Sequence, residues 1–186
     1  MENHTSAMRP ALLMCLGLAM VFPVPYPVAA QVRDFEPNHI RRTASVHFDA
    51  TPEAVYSLLA PGGQQSLTQG WDIDVLSPPS GAIEPGSTFT KTHRRAPAQQ
   101  IWTVVEADQP RRLTYAIFVV ELESWVFEMD LRPDGNGGTV VDVTHTITSL
   151  SELANPAVQE FADTFEGYIE AWSAAIRREL VSRIQV

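Results

Sequence analysis

The sequence predicts an α+β domain in which a curved antiparallel sheet of about seven strands wraps around a long carboxy-terminal helix. Three observations carry that expectation. Alternating apolar and polar segments run from Trp71 to Thr148, separated by turn residues at short intervals. One further strand and a short helix precede them. The last part of the chain sets large aromatic and aliphatic residues at helical spacing, wide enough to demand an extended apolar surface.

The first strand begins at His39. Ala44, Val46, Phe48 and Ala50 fall on one face and Thr43, Ser45, His47 and Asp49 on the other, the period-two pattern of a half-buried strand. Thr51-Pro52-Glu53 then reads as a helix start: a hydroxyl at the N-cap, proline at the first helical position and an acid in the first turn. Val55, Leu58 and Leu59 are its inward residues, and Pro61-Gly62-Gly63 is expected to end it.

Six strands are expected next, at Trp71–Ser77, Ser87–His93, Gln99–Glu106, Arg112–Val120, Glu123–Leu131 and Thr139–Thr148. The turns between them fall at Pro78-Pro79-Ser80-Gly81, Glu84-Pro85-Gly86, Ala96-Pro97, Asp108-Gln109-Pro110 and Asp134-Gly135-Asn136-Gly137-Gly138. Connections this short join antiparallel neighbours, since parallel crossovers need a dozen residues or more. From Pro156 to Arg183 the residues Phe161, Phe165, Tyr168, Trp172, Ala175, Ile176 and Leu180 recur every three or four positions. That is one amphipathic helix about 42 Å long, and the concave face of the sheet is the surface it must cover.

Ahead of the domain, Ala11 to Phe22 form an apolar run after Met8-Arg9-Pro10, followed by Pro23, Pro25 and Pro27. Twelve residues rise only about 18 Å as a helix, short of a hydrocarbon core of about 30 Å. Val28-Ala29-Ala30 sets small residues where a signal peptidase cuts. Residues 1–30 are therefore read as a signal peptide, 31–38 as a short linker and 39–186 as a single ligand-binding domain. The protein is expected to be exported to the periplasm or beyond, with no stable membrane span after cleavage. An uncut signal-anchor is the alternative. The single cysteine, Cys15, would leave with the signal, so neither disulfides nor cysteine-held metals are expected in the mature chain.

Composition narrows the function. Hydrophobic residues are 45% and charged residues 19%, an ordinary globular balance, and the formal net charge is -9. An acidic balance of that size opposes phosphate backbones, and the arginines occur singly or in isolated pairs, so no nucleic-acid partner is expected. Lys91 is the only lysine; an arginine-rich, lysine-poor usage is what a GC-rich, bacterial genome would encode.

The segment Ser45-Val46-His47-Phe48-Asp49-Ala50-Thr51-Pro52-Glu53-Ala54-Val55-Tyr56 carries a family resemblance. So do Trp71, the Gly86 turn, Asp108-Gln109-Pro110-Arg111-Arg112-Leu113-Thr114-Tyr115, Gly137-Gly138-Thr139-Val140 and the helix holding Gly167 and Trp172. In that order they resemble the SRPBCC superfamily, which groups START lipid-transfer domains, Bet v 1-like plant allergens, polyketide cyclases and Hsp90-ATPase activators. The resemblance spans roughly residues 39–184. It implies a helix-grip fold with a cavity between sheet and helix, and binding of lipids, sterols, polyketides or other apolar molecules. It implies no universal catalytic residues; no cofactor is expected, since the sequence carries neither a glycine-rich phosphate loop after a strand nor a Rossmann fingerprint.

Candidate site residues follow from strand alternation. Val141, Val143, His145 and Ile147 share one face of the last strand, and Trp125, Phe127, Met129 and Leu131 share one face of its hairpin partner. His145 is thus expected inside. There it could be a core residue satisfied by a neighbouring hydroxyl or carbonyl, a ligand contact, or an acid/base group. Tyr115, on the face of Leu113, Ile117 and Val119, could present its hydroxyl to the same space or keep it bonded within the core. The expected ligand-binding set is Phe89, Tyr115, Trp125, Phe127, Met129, His145, Phe165 and Trp172, with His145 and Tyr115 as catalytic candidates. Phe89, Lys91 and His93 share a face; a desolvated Lys91 would be a Schiff-base candidate, and a solvated hairpin rim is its expected place. Glu121 and Glu123 read as a hairpin end, and Asp72 and Asp74 as the wet face of an edge strand. His39, His47, His93 and His145 show no metal-ligand spacing.

Three functions fit this reading. The first is a carrier or sensor enclosing a small apolar or amphipathic molecule, which needs only a lined cavity. The second is a polyketide cyclase-like enzyme, which needs at least two convergent polar groups. The third is a protein-interaction module with a filled core.

Overall fold

The computed structural model describes residues 34–67, 70–93 and 96–184. The expected signal peptide and the start of the linker lie outside the described residues. Residues 33–186 form one compact unit.

Seven antiparallel strands make one sheet: β1 (His39–Phe48), β2 (Trp71–Ser77), β3 (Thr88–His93), β4 (Ala96–Asp108), β5 (Arg112–Val119), β6 (Glu123–Pro133) and β7 (Thr139–Ser149). Their order across the sheet is β1-β7-β6-β5-β4-β3-β2. The hairpins run in sequence from β2 to β7, and β1 then joins the free edge of β7, with Val46 opposite Val141 and Ala44 opposite Val143. Along β7 burial alternates strictly, so Val141, Val143, His145 and Ile147 all face inward. Bulges between Val104 and Glu106 in β4, and between Val75 and Ser77 in β2, bend the sheet.

Between β1 and β2 the chain forms α1 (Pro52–Leu59) and then α2 (Pro61–Leu67). The Thr51 hydroxyl caps α1 by accepting from the Ala54 amide. Pro61-Gly62-Gly63 does end α1, but it also starts α2, because proline suits the first turn of a helix. Gly63 is required there: a Cβ would collide with the Ser57 carbonyl and the Leu58 backbone where the two helices meet. A second boundary differs as well. Ala96-Pro97, expected as a turn, belongs to β4, with Ala96 opposite His93.

The long helix α3 (Asn155–Ile184) spans 30 residues. Val158, Ala162, Phe165, Ile169, Ile176 and Leu180 are buried against the sheet, while Phe161 and Trp172 pack partly buried beside them. Its start is anchored by Asn155, whose amide donates to the Glu36 carbonyl and whose Oδ1 accepts from the Asn38 backbone. The end of the expected linker is thereby tied to the domain. Among the described residues no helix is long and apolar enough to cross a membrane.

Candidate functional site

A cavity of about 420 Å³ lies between the concave face of the sheet, α2 and α3. Its floor is Trp102, Ile117, Trp125, Phe127, Met129 and His145, from β4 to β7. Leu59, Gln64 and Leu67 close one side, with Trp71 and Lys91 beside them, and Tyr168, Ala171, Trp172, Ala175 and Arg178 of α3 form the roof.

Five of the eight expected ligand-binding residues line this space: Trp125, Phe127, Met129, His145 and Trp172. Phe89, Tyr115 and Phe165 do not. Phe89 lies behind Trp102, stacked at 5.6 Å between ring centroids. Phe165 faces a separate groove between β1 and α3. Tyr115 is fully buried, and its hydroxyl donates to the Leu59 carbonyl at 2.9 Å, so it is a core residue that pins α1 to the sheet. Burial pushes its phenol well above the usual range. It offers the cavity no proton.

His145 is 1% exposed. Its ring stacks on Phe127 at 4.3 Å and 15°, and the edges of Trp125, Phe165 and Tyr168 surround it. Neither Nδ1 nor Nε2 has a hydrogen-bond partner in the protein. Among the described residues no hydroxyl or carbonyl bonds the ring, which lies among aromatic side chains. Burial lowers its pKa to about 3. The ring is neutral at pH 7, so its two nitrogens comprise one donor and one acceptor.

Lys91 is the residue that alternation alone misplaced. It is 6% exposed rather than on a solvated rim. Its Nζ donates to Gln64 Oε1 at 3.0 Å and sits 4.4 Å from the Trp102 ring centroid and 5.3 Å from that of Trp71. Gln64 is held in turn by donating its Nε2 to the Leu59 carbonyl at 2.7 Å. Desolvation lowers the Lys91 pKa to about 8. The face was legible in the sequence, since Phe89 and Lys91 both point inward; the cover was not, because it comes from the unexpected α2. Gln64 escaped notice for the same reason.

The other polar candidates are spent elsewhere. Glu123 accepts from the Trp125 indole, and Glu121 stands exposed in a turn with φ of 63°. His47 pairs with Asp134 at 2.7 Å on the outer surface. Asp72 and Asp74 are exposed on β2, one edge of the sheet. Among the described residues no group of three or more His, Cys, Asp or Glu is placed to hold a metal ion.

Residues 39–181 match the family described as polyketide cyclase / dehydrase and lipid transport. The chain belongs to that family. Several solved structures share its fold. Norcoclaurine synthase from Thalictrum flavum has 12% identity, covers 80% of this chain and 98% of its own, and superposes with a TM-score of 0.60. Ara h 8.0201 has 16% identity over 78% of this chain and 99% of its own, with a TM-score of 0.59. A Staphylococcus aureus protein of unknown function has 12% identity over 81% and 99%, with a TM-score of 0.66. No curated protein matches the sequence. The family and these neighbours place the chain in the SRPBCC superfamily with a Bet v 1-like, helix-grip fold.

Proposed function

We propose that this chain is an exported binding protein that encloses a small apolar or amphipathic molecule between its sheet and α3. The observation that carries the reading is His145, a neutral imidazole on the cavity wall with neither nitrogen bonded to the protein. Leaving such groups unpaired costs about 1–3 kcal/mol, a cost that a ligand hydroxyl or carbonyl would offset. The volume of about 420 Å³ argues the same way, since ligand sites start near 300 Å³ and an interaction module with a filled core needs none. The family description, which joins cyclisation and dehydration with lipid transport, accords with a bound small molecule. Export rests on the apolar run Ala11–Phe22 and on Val28-Ala29-Ala30.

The test is native mass spectrometry of protein purified from the envelope of its own host. A bound small compound, on a chain beginning at Gln31, is expected. A ligand-free chain that also binds no apolar dye would overturn the binding reading, and intact residues 8–30 would overturn cleavage.

A second reading, catalysis on a cyclic apolar substrate, is favoured by one observation: Lys91 and His145 both border the cavity, giving the two polar groups that chemistry needs. Norcoclaurine synthase, similar in fold, has been crystallised with dopamine and hydroxybenzaldehyde. Incubating the recovered compound with fresh protein separates the readings. A carrier returns it unchanged; an enzyme consumes it, about 10²–10⁴ times more slowly after His145→Phe.

A further inference from the structure

The ligand-binding reading rests on His145 and leaves Lys91 unexplained. A buried ammonium is costly unless an opposite charge pairs with it. Among the described residues Lys91 has no such partner: its hydrogen bond goes to the neutral amide of Gln64, and it also lies over the rings of Trp102 and Trp71. The nearby carboxylates point elsewhere. Asp72 and Asp74 flank Ile73, the residue opposite Lys91, and so sit on the outer face of β2. Glu106, Glu128 and Asp130 gather around Arg112.

The cavity wall as a whole repeats the asymmetry. Among the described residues that line it there is no Asp or Glu, while Lys91 and Arg178 both do, in a chain of net charge -9. The cavity therefore has a cationic end, near α2, β3 and the carboxy-terminal half of α3. It also has an aromatic body at Trp102, Trp125, Phe127 and Trp172 and a neutral imidazole within that body. From this arrangement we propose that the natural ligand is a monoanionic amphipath: a compact, ring-sized apolar body whose single acidic group docks on the Lys91 ammonium held by Gln64. This proposal rests on the binding reading above and narrows it to one chemical class. It also accounts for Gln64, whose amide oxygen holds Nζ toward the cavity while leaving its positive charge uncompensated.

A matched pair of fluorescent probes tests it: anilinonaphthalene sulfonate and its uncharged parent, phenylnaphthylamine, which share one ring system and differ by the anion. At pH 7 the mature chain should bind both, each displacing the other. Lys91→Met should weaken the sulfonate about 10–100-fold, the value of one charge-assisted hydrogen bond, and leave phenylnaphthylamine unchanged or tighter. Lys91→Arg should retain most of the sulfonate affinity.

A pH series on the unaltered chain keeps the test independent of how the variants fold. Between pH 7 and 9.5 Lys91 loses its proton, and sulfonate binding should fall while phenylnaphthylamine binding holds. The other titratable groups lining the cavity are His145 on β7 and Tyr168 and Arg178 on α3, while His93 on β3 and Tyr115 on β5 pack against Trp71 and Trp102, the indoles beside Lys91. His145 is already neutral over this range. Sulfonate binding that survives both Lys91→Met and pH 9.5, or that phenylnaphthylamine does not displace, overturns the anionic-head proposal and leaves the binding reading standing. Failure of the unaltered chain to bind either probe overturns both.

Discussion

The unpaired imidazole of His145 makes a prediction about stability that needs no knowledge of the ligand. Burial lowers its folded-state pKa to about 3, whereas an unfolded histidine titrates near 6.5. Between those values the unfolded chain holds a proton that the folded chain refuses. The unfolded state is therefore the more protonated, and stability falls as pH falls through 6.5 toward 3. At about 1.4 kcal/mol per unit, the loss is about 2 kcal/mol at pH 5 and on the order of 4 kcal/mol near pH 3. Comparison with His145→Phe over the interval from 6.5 to 5 isolates the effect. Hydrogen bonds from Arg111, His47 and Ser45 hold Asp108, Asp134 and Asp142 below the usual carboxylate range, so these groups contribute only at lower pH. His145→Phe removes the proton site and the two unpaired nitrogens together, and the bordering cavity accommodates the larger ring. It should raise stability at pH 7 by about 1–3 kcal/mol and flatten the dependence between 6.5 and 5. Urea denaturation of the ligand-free mature chain at pH 7 and pH 5, followed by tryptophan fluorescence, reads both. The unaltered chain should lose on the order of 1 M in midpoint, and the variant should lose much less. A variant less stable than the original, with the slope intact, would refute the placement of an unpartnered His145 in the wall.

Three further outcomes follow from the same geometry. Gly63→Ala should cost about 1–3 kcal/mol by driving α2 off α1, and should weaken sulfonate binding as Gln64 leaves Lys91; an unchanged melting temperature would contradict the close approach. Tyr115→Phe should cost about 1 kcal/mol, one neutral hydrogen bond, with dye affinity unchanged, and a loss of dye binding would place that hydroxyl in the cavity after all. Trp172→Ala should cost about 3 kcal/mol, the low end for a core aromatic because one face already borders open volume, and a denaturation midpoint equal to the original would show that α3 does not grip the sheet there.

Much of the architecture was legible along the chain because it is written in local periods. The alternation of β7 placed His145, Val143 and Val141 inward, and the opposing residues of β6 matched it in register, Phe127 across from His145 and Met129 across from Val143. The three- and four-residue spacing of α3 identified a helix too apolar to stand alone, and its buried face lies on the sheet. Such periods report which face a side chain takes. They do not report what covers that face. For Tyr115 the cover was the Leu59 carbonyl, which turned a candidate acid into a core residue. For Lys91 it was Gln64 and two indoles, which turned an expected rim residue into a buried cation of the cavity wall. Phe165 lines the groove beside β1 instead, with its ring also against His145. Burial and pairing are decided by contacts between segments far apart in sequence. The sequence by itself therefore determined a sheet, a gripping helix and an inward histidine, and only the tertiary structure decided which polar groups the protein pairs and which it leaves unpaired.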